Sequence, residues 1–288
     1  MNFKGIQQLP AKRSLKMQSA EKHLIYLYCI TAVSPVLKEV VKLVSNLYFV
    51  YHVDLYAIVG KVAESEFGQE SLATNMADLE WVKTKISLHE KVIEGVMINT
   101  YVIPFKFATL FNTEESLTAM LTEYAEKFKT ILKKLKDKEE WGVKVYCDTG
   151  RLKQSLVNDN SEILEIENKI TSSSVGTAYF LKKKKDELIK DALNKKINEC
   201  GQKSFELLKE LDVEARINKL LPREVTERPE DMILNSAFLV AKDKVGNFVD
   251  RVDSLKMRYE DKGFSIVCTG PWPPYNFCRL PKEKVQSG

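Results

Sequence analysis

The run Ile233-Leu234-Asn235-Ser236-Ala237-Phe238-Leu239-Val240-Ala241, the helical pattern Val245 to Glu260 and the run Gly263-Phe264-Ser265-Ile266-Val267-Cys268-Thr269 together decide the fold. The first and last are short, apolar and β-rich, and read as strands on either side of a helix. Upstream, Val225 to Pro229 reads as a weak strand. A long helical region from Asn160 to Leu221 precedes it, broken by the Ser/Gly stretch Thr171 to Gly176. Within that region Ile189, Leu193, Ile197, Cys200, Ser204, Leu208 and Leu211 keep one face, and Gly201 is a place for a bend. Trp141 to Cys147 alternates like a strand. The order strand, helices, strand, strand, helix, strand is that of a split βαβ, ferredoxin-like fold with an oversized first helical crossover.

The first half reads as a separate α+β unit. His23 to Ile30 is an apolar run suited to a buried strand. Ser34-Pro35 offers an N-cap and a first helical position for a short helix using Val36, Val40, Leu43 and Leu47. Leu47–Val53 and Asp54–Val62 read as strands. Glu70 to Asn99 reads as one helix with Leu72, Met76, Leu79, Val82, Ile86 and His89 on a face. Thr100 to Phe111 reads as a strand that Pro104 confines to a sheet edge or a bulge. Asn112 to Glu115 caps a helix whose face is Leu117, Leu121, Tyr124, Phe128, Ile131 and Leu135. The charge cluster Lys136 to Glu140 marks the boundary. The expected fold class is therefore α+β in two domains: a flexible lead-in over 1–20, an N-terminal domain over 21–137, a modified ferredoxin-like domain over 138–269, and a Pro/aromatic tail over 270–288 packing across them.

The chain has 288 residues with 44 basic and 40 acidic side chains, a net charge of +4 that is small for a dedicated nucleic-acid domain. Its 12 Gly and 9 Pro are too few for a fibrous or largely disordered protein. Five cysteines without CxxC spacing read as reduced, mostly buried thiols of a cytoplasmic protein. Met1 to Lys22 has no apolar core for a signal peptide, and no run reaches the roughly 20 apolar residues of a membrane span.

The common catalytic signatures are not met. No Walker loop, dinucleotide GxGxxG or GxSxG elbow occurs, and His89-Glu90 has Ile93 where a zincin needs its second His. His23, His52 and His89 read as helix-face or strand-end residues, and no metal or cofactor is expected. Glu114-Glu115, Glu139-Glu140 and Glu165/Glu167 sit among lysines and read as solvated helix faces. Two features favour an alternative, an RNA- or nucleotide-binding ferredoxin-like protein: Lys182 to Lys185, read as opening a helix, and Lys262 to Val267, faintly like an RNA-recognition signature. That signature belongs on the third strand of its fold, whereas these residues fall on the fourth.

The chain closes on Gly270-Pro271-Trp272-Pro273-Pro274-Tyr275-Asn276-Phe277, a stiff segment carrying large apolar groups. It reads as an intramolecular strap or as an exposed anchor for another protein. The strap is favoured because exposed aromatic patches of this size are uncommon.

Nine segments in this order resemble the gas vesicle protein F/L family, from about Leu24 to Phe277. They are Leu24–Ile30, Asp54–Val59, His89–Ile93, Val102–Phe111, Glu140–Val145, Gly176–Leu181, Asn235–Val240, Gly263-Phe264 and Thr269–Phe277. Ala108 stands where the family generally has Gly, and Val175 where Pro is common. The resemblance implies a non-enzymatic accessory protein of gas vesicle formation with two α+β domains. It also implies association with the apolar shell protein, other accessory proteins as further partners, and a place at the gas-facing side of the vesicle wall. Pro104, Phe105 and Phe107, with Trp272, Pro273, Pro274, Tyr275 and Phe277, are the candidate partner-binding or interdomain residues. No catalytic residue is expected.

Overall fold

The computed structural model describes residues 21–44, 46–211 and 214–278. The lead-in over 1–20 and the basic end of the tail, 279–288, lie outside the described residues.

Strands β1 (His23–Thr31), β2 (Leu47–His52) and β3 (Leu55–Ala63) pair antiparallel in the order β2-β3-β1. The far side of β1 takes two short strands, β4 (Ile103–Pro104) and β5 (Leu110–Phe111), which places Pro104 at a sheet edge as its missing donor requires. Val53 and Asp54, with φ of 46° and 60°, form the two-residue turn between β2 and β3. Alternation lets β1 serve two cores, and the register shift between Leu27 and Cys29 puts the consecutive Tyr28 and Cys29 in the same one. Ile25, Leu27 and Ile30 enter one, while Leu24, Tyr26, Tyr28 and Cys29 enter the other.

Between β3 and β4 lie α1 (Glu64–Phe67), α2 (Gln69–Asn75) and α3 (Leu79–Met97). The single helix expected over 70–99 is broken because Asp78 caps α3, its carboxylate accepting from Glu80 N and Trp81 N. The break moves the buried face to His89, Val92, Ile93 and Val96 and leaves Met76, Leu79 and Ile86 exposed. The short helix expected after Pro35 is only a 3-10 turn, Val40–Lys42, which buries Val40 alone. Helix α4 (Glu114–Leu135) starts at Thr113 with a reciprocal Thr113–Ser116 cap and buries Leu117, Leu121, Phe128, Ile131, Leu132 and Leu135.

The second sheet comprises β6 (Lys138–Cys147), β7 (Glu214–Ile217), β8 (Asp231–Ala241) and β9 (Phe264–Trp272), all antiparallel in the order β7-β8-β6-β9. The crossover from β6 to β7 is α5 (Thr149–Asp159), α6 (Ser161–Thr171) and α7 (Val175–Lys209); α8 (Arg223–Thr226) follows β7 and α9 (Val245–Tyr259) joins β8 to β9. The weak strand expected at 225–229 is corrected. Pro222 starts α8 there, and the pairing strand is β7, inside the stretch read as helical, where Leu208 and Leu211 prolong the apolar pattern. Helix α7 continues through Gly201, and Lys182–Lys185 lie within it rather than at its start. Glu139 and Glu140 are also corrected: they stand on β6, after a turn made by Asp137 at φ 56°.

Helix α4 joins the two sheets. The cluster filling its side of the first sheet also holds Ala237 and Leu239 from β8 and Phe277 from the closing segment. Lys134 of α4 pairs with Glu214 of β7 at 2.7 Å.

Candidate functional site

His89 is the centre of a connected buried polar group. Helix α3 carries it inward, almost fully buried, on the face that meets β1. Its Nε2 lies 3.1 Å from the Phe105 carbonyl oxygen, which can only accept, so Nε2 bears the proton. Nδ1 therefore accepts from the Tyr26 hydroxyl at 2.9 Å, and that hydroxyl accepts from Ala108 N at 2.9 Å. Burial pushes the imidazole pKa down to about 4, so the ring is neutral near pH 7. The rings of Tyr28 and Phe107 pack against it. With both ring nitrogens engaged, His89 works as a tie between α3, β1 and the loop after β4.

The closing segment docks on the same tie. Tyr275 OH sits 3.1 Å from His89 Nε2 and donates to Glu90 Oε1 at 2.9 Å. Burial raises the Glu90 carboxyl above its usual range although the Tyr275 hydrogen bond opposes this. The next residue reaches the second sheet: Asn276 donates from Nδ2 to Glu140 Oε1 at 2.6 Å and from its backbone N to Oε2 at 3.1 Å. Glu140 is 4 % exposed, and burial pushes its pKa up to about 7 against those two hydrogen bonds. Phe277 then enters the cluster around α4, with Lys134 Nζ 5.7 Å above its ring. Gly270 makes the approach possible. Its φ is 148°, and a Cβ there would lie 2.9 Å from the Glu140 carbonyl oxygen.

Of the residues singled out by sequence, Pro104, Phe105, Pro273, Pro274 and Phe277 are buried, and Phe107 and Tyr275 are half-buried. Phe105, Phe107 and Tyr275 meet at His89, while Phe277 joins Phe105 in the α4 cluster. Trp272 stands apart and 44 % exposed, its indole N–H on Thr269 Oγ1. It flanks a cleft of about 340 Å³ with Ile98, Tyr101, Leu135, Glu140 and Pro274 in its walls. Sequence reading missed Tyr26, Glu90, Glu140 and Asn276. Only His89 had a signal, a histidine on an apolar helix face. In the stretch that resembles an RNA-recognition signature, Phe264 and Ile266 are buried core residues.

All five cysteines are free, with Cys29, Cys147 and Cys200 buried. Among the described residues no group of His, Cys, Asp and Glu is placed to hold a metal, and no helix is long and apolar enough to cross a membrane.

Residues 24–279 match the sequence model of the family described as gas vesicle synthesis protein GvpL/GvpF. Gas vesicle protein L of Streptomyces sp. (strain CB03234) is 25 % identical over 243 residues, covering 81 % of this chain and 84 % of that protein. Gas vesicle protein F of the same organism is 24 % identical over 205 residues, covering 69 % and 79 %. The fold is similar to the crystal structure of the gas vesicle protein GvpF from Anabaena sp. PCC7120, with a TM-score of 0.67 at 18 % identity, over 90 % of this chain and 100 % of that one. The match extends over both sheets and the closing segment, so the chain belongs to the GvpL/GvpF family of gas vesicle synthesis proteins.

Proposed function

We propose that the chain is a non-enzymatic accessory factor that keeps the apolar shell subunit of gas vesicles soluble in the cytoplasm during assembly and stays as a minor component on the gas-facing side of the wall. The family match over residues 24–279 carries this reading. The physical role is simple. A subunit with an apolar face aggregates in water, and covering that face lowers the free energy of the free subunit by roughly 25 cal/mol per Å². Handing the subunit on requires moderate affinity, about −8 kcal/mol or micromolar.

In this reading the molecule has two α+β units, 21–137 and 138–269, and the second is ferredoxin-like, consistent with the order β7-β8-β6-β9. Pro104, Phe105, Phe107, Pro273, Pro274, Tyr275 and Phe277 serve between the units, as their burial favours. Trp272, with Ile98 across the cleft, is the part of the tail free to meet a partner.

Co-expression with the shell subunit tests the proposal. The subunit should stay in the soluble fraction and co-purify with the chain, and washing intact vesicles with detergent or urea should not release the chain buried inside. A subunit equally insoluble with and without the chain overturns the reading.

A further inference from the structure

The outer side of β2 pairs with no strand among the described residues. Sheet proteins usually blunt such an edge with lysine, proline, a bulge or a very short strand. Here the edge is Leu47-Tyr48-Phe49-Val50-Tyr51-His52, six residues without a lysine, acid, proline or glycine, in unbroken register with β3. A segment of this kind left open is an aggregation hazard.

The geometry of the edge is specific. His52 and Leu55 flank the two-residue turn and form its hydrogen-bonded pair. By alternation Tyr48, Val50 and His52 spend their backbone groups on β3, and Phe49 and Tyr51 direct their N–H and C=O outward. Those same two residues are 42 % and 55 % exposed, and their rings pack on Tyr56 at 5.4 and 4.8 Å, forming an aromatic shelf beside the open backbone. The other face holds the strand rigid. Tyr48 and Val50 pack on the α4 cluster, Tyr48 OH donates to Glu114 at 2.7 Å, and His52 Nε2 lies 2.7 Å from Thr122 Oγ1. Two carboxylates beside the strand are already engaged: Asp54 pairs with Lys129 at 3.1 Å and accepts from Tyr51 OH at 3.2 Å, and Glu114 accepts from Tyr48 OH.

We propose that the outer edge of β2 takes an extended, uncharged segment of the apolar shell subunit as an added strand, Phe49 and Tyr51 supplying its hydrogen bonds and the aromatic shelf its side-chain contact. The inference rests on the reading of the chain as a holder of that subunit. An uncharged edge matches an uncharged strand, whereas a charged one would lose hydration with nothing to replace it. A second copy of this chain is the weaker occupant. Six residues fall well short of the 20–30 per side of a stable interface, but they suit a contact that must let go.

The test is soluble capture of the shell subunit by the full chain and its F49K/Y51K variant, with hydrogen exchange read at residues 49 and 51. Phe49 and Tyr51 lie outside the buried clusters, their rings on Tyr56 and the Tyr51 hydroxyl on Asp54, so the variant should fold with a modestly lower melting temperature while capture falls at least about tenfold. In the wild-type complex the amides of Phe49 and Tyr51 should exchange more slowly than in the free chain, a measurement that needs no variant. Undiminished capture by a folded F49K/Y51K variant, or unchanged exchange at both amides in the complex, overturns the proposal and leaves the holder reading intact. Protection of both amides in the free chain, deepening with concentration, gives the edge to a second copy and also overturns it. A wild-type chain that captures no shell subunit removes both readings at once.

Discussion

Ala108 holds φ at 59°, in the left-handed region that costs an L residue with a Cβ and costs glycine nothing. The loop must turn sharply there to deliver the Ala108 N–H to the Tyr26 hydroxyl, a conformation that glycine would hold without strain. Replacing Ala108→Gly keeps that hydrogen bond and removes the strain. A gain of about 0.5–1 kcal/mol in urea unfolding is expected, and a loss would show that the strain is absent. Glu140 and His89 make a second residue-scale argument because their pKa shifts act in opposite senses. Glu140 titrates near 7 in the folded chain against an ordinary 4.5, so the folded state binds the extra proton and stability falls as pH rises from 4.5 to 7. His89 titrates near 4 against an ordinary 6.5, so stability instead rises between pH 4 and 6.5. Across 4.5–6.5 the two contributions largely cancel. The Glu140→Gln variant should therefore gain on the wild type as pH rises, by up to about 3 kcal/mol between pH 4.5 and 7.5, exposing the His89 slope below 6.5. Parallel stability curves for the two proteins would show that Glu140 does not titrate as its burial requires.

At the scale of elements, legibility follows how local the determining physics is. The faces of α4 and α7 could be read from spacing because a 3.6-residue period depends only on neighbours along the chain. The capping residues Thr113 and Ser174 act through hydrogen bonds to the next turn, so they are visible in the same way, although the first is legible only as part of the stretch Asn112 to Glu115. Val175 occupies the first position of α7, where a backbone N–H has no partner within the helix and the fixed φ of a proline would do no harm. Strand β7 was illegible because four residues of strand are defined only by the partner they find, here Leu239 to Ser236 of β8. Glu140 failed for the same reason. On β6 it alternates with Gly142 and Lys144, a pattern that reads as wet, and its carboxylate is met by Asn276 arriving from the far end of the chain. The candidate tail residues were found because prolines and aromatics are conspicuous; their polar anchors, Glu90 and Glu140, look like any other acid in a lysine-rich sequence.

Across the whole molecule, Phe277 has the strongest claim to hold the two sheets as one body. It is 2 % exposed in a cluster that draws Leu27 and Leu55 from the first sheet, Ala237 and Leu239 from the second, and Leu132 and Leu135 from the helix between. Tyr275 and Asn276 aim it by fixing the preceding residues to Glu90 and Glu140, one carboxylate on each side of the junction. Truncation to alanine removes a buried ring and leaves a cavity at that junction, a change that costs about 3–5 kcal/mol in a site that cannot collapse. The distribution of the damage is the informative part. If Phe277 couples the sheets, Phe277→Ala should speed amide exchange in β1 and β3 as well as in β6 and β8, because each sheet loses its support through α4. Phe248→Ala supplies the contrast, since that ring is equally buried but lies in the cluster on the far face of the second sheet. Its effect should remain among β6, β8, β9 and α9. Exchange in the Phe277→Ala variant that quickens only around residues 270–278 would mean that the closing segment covers the junction without holding it together.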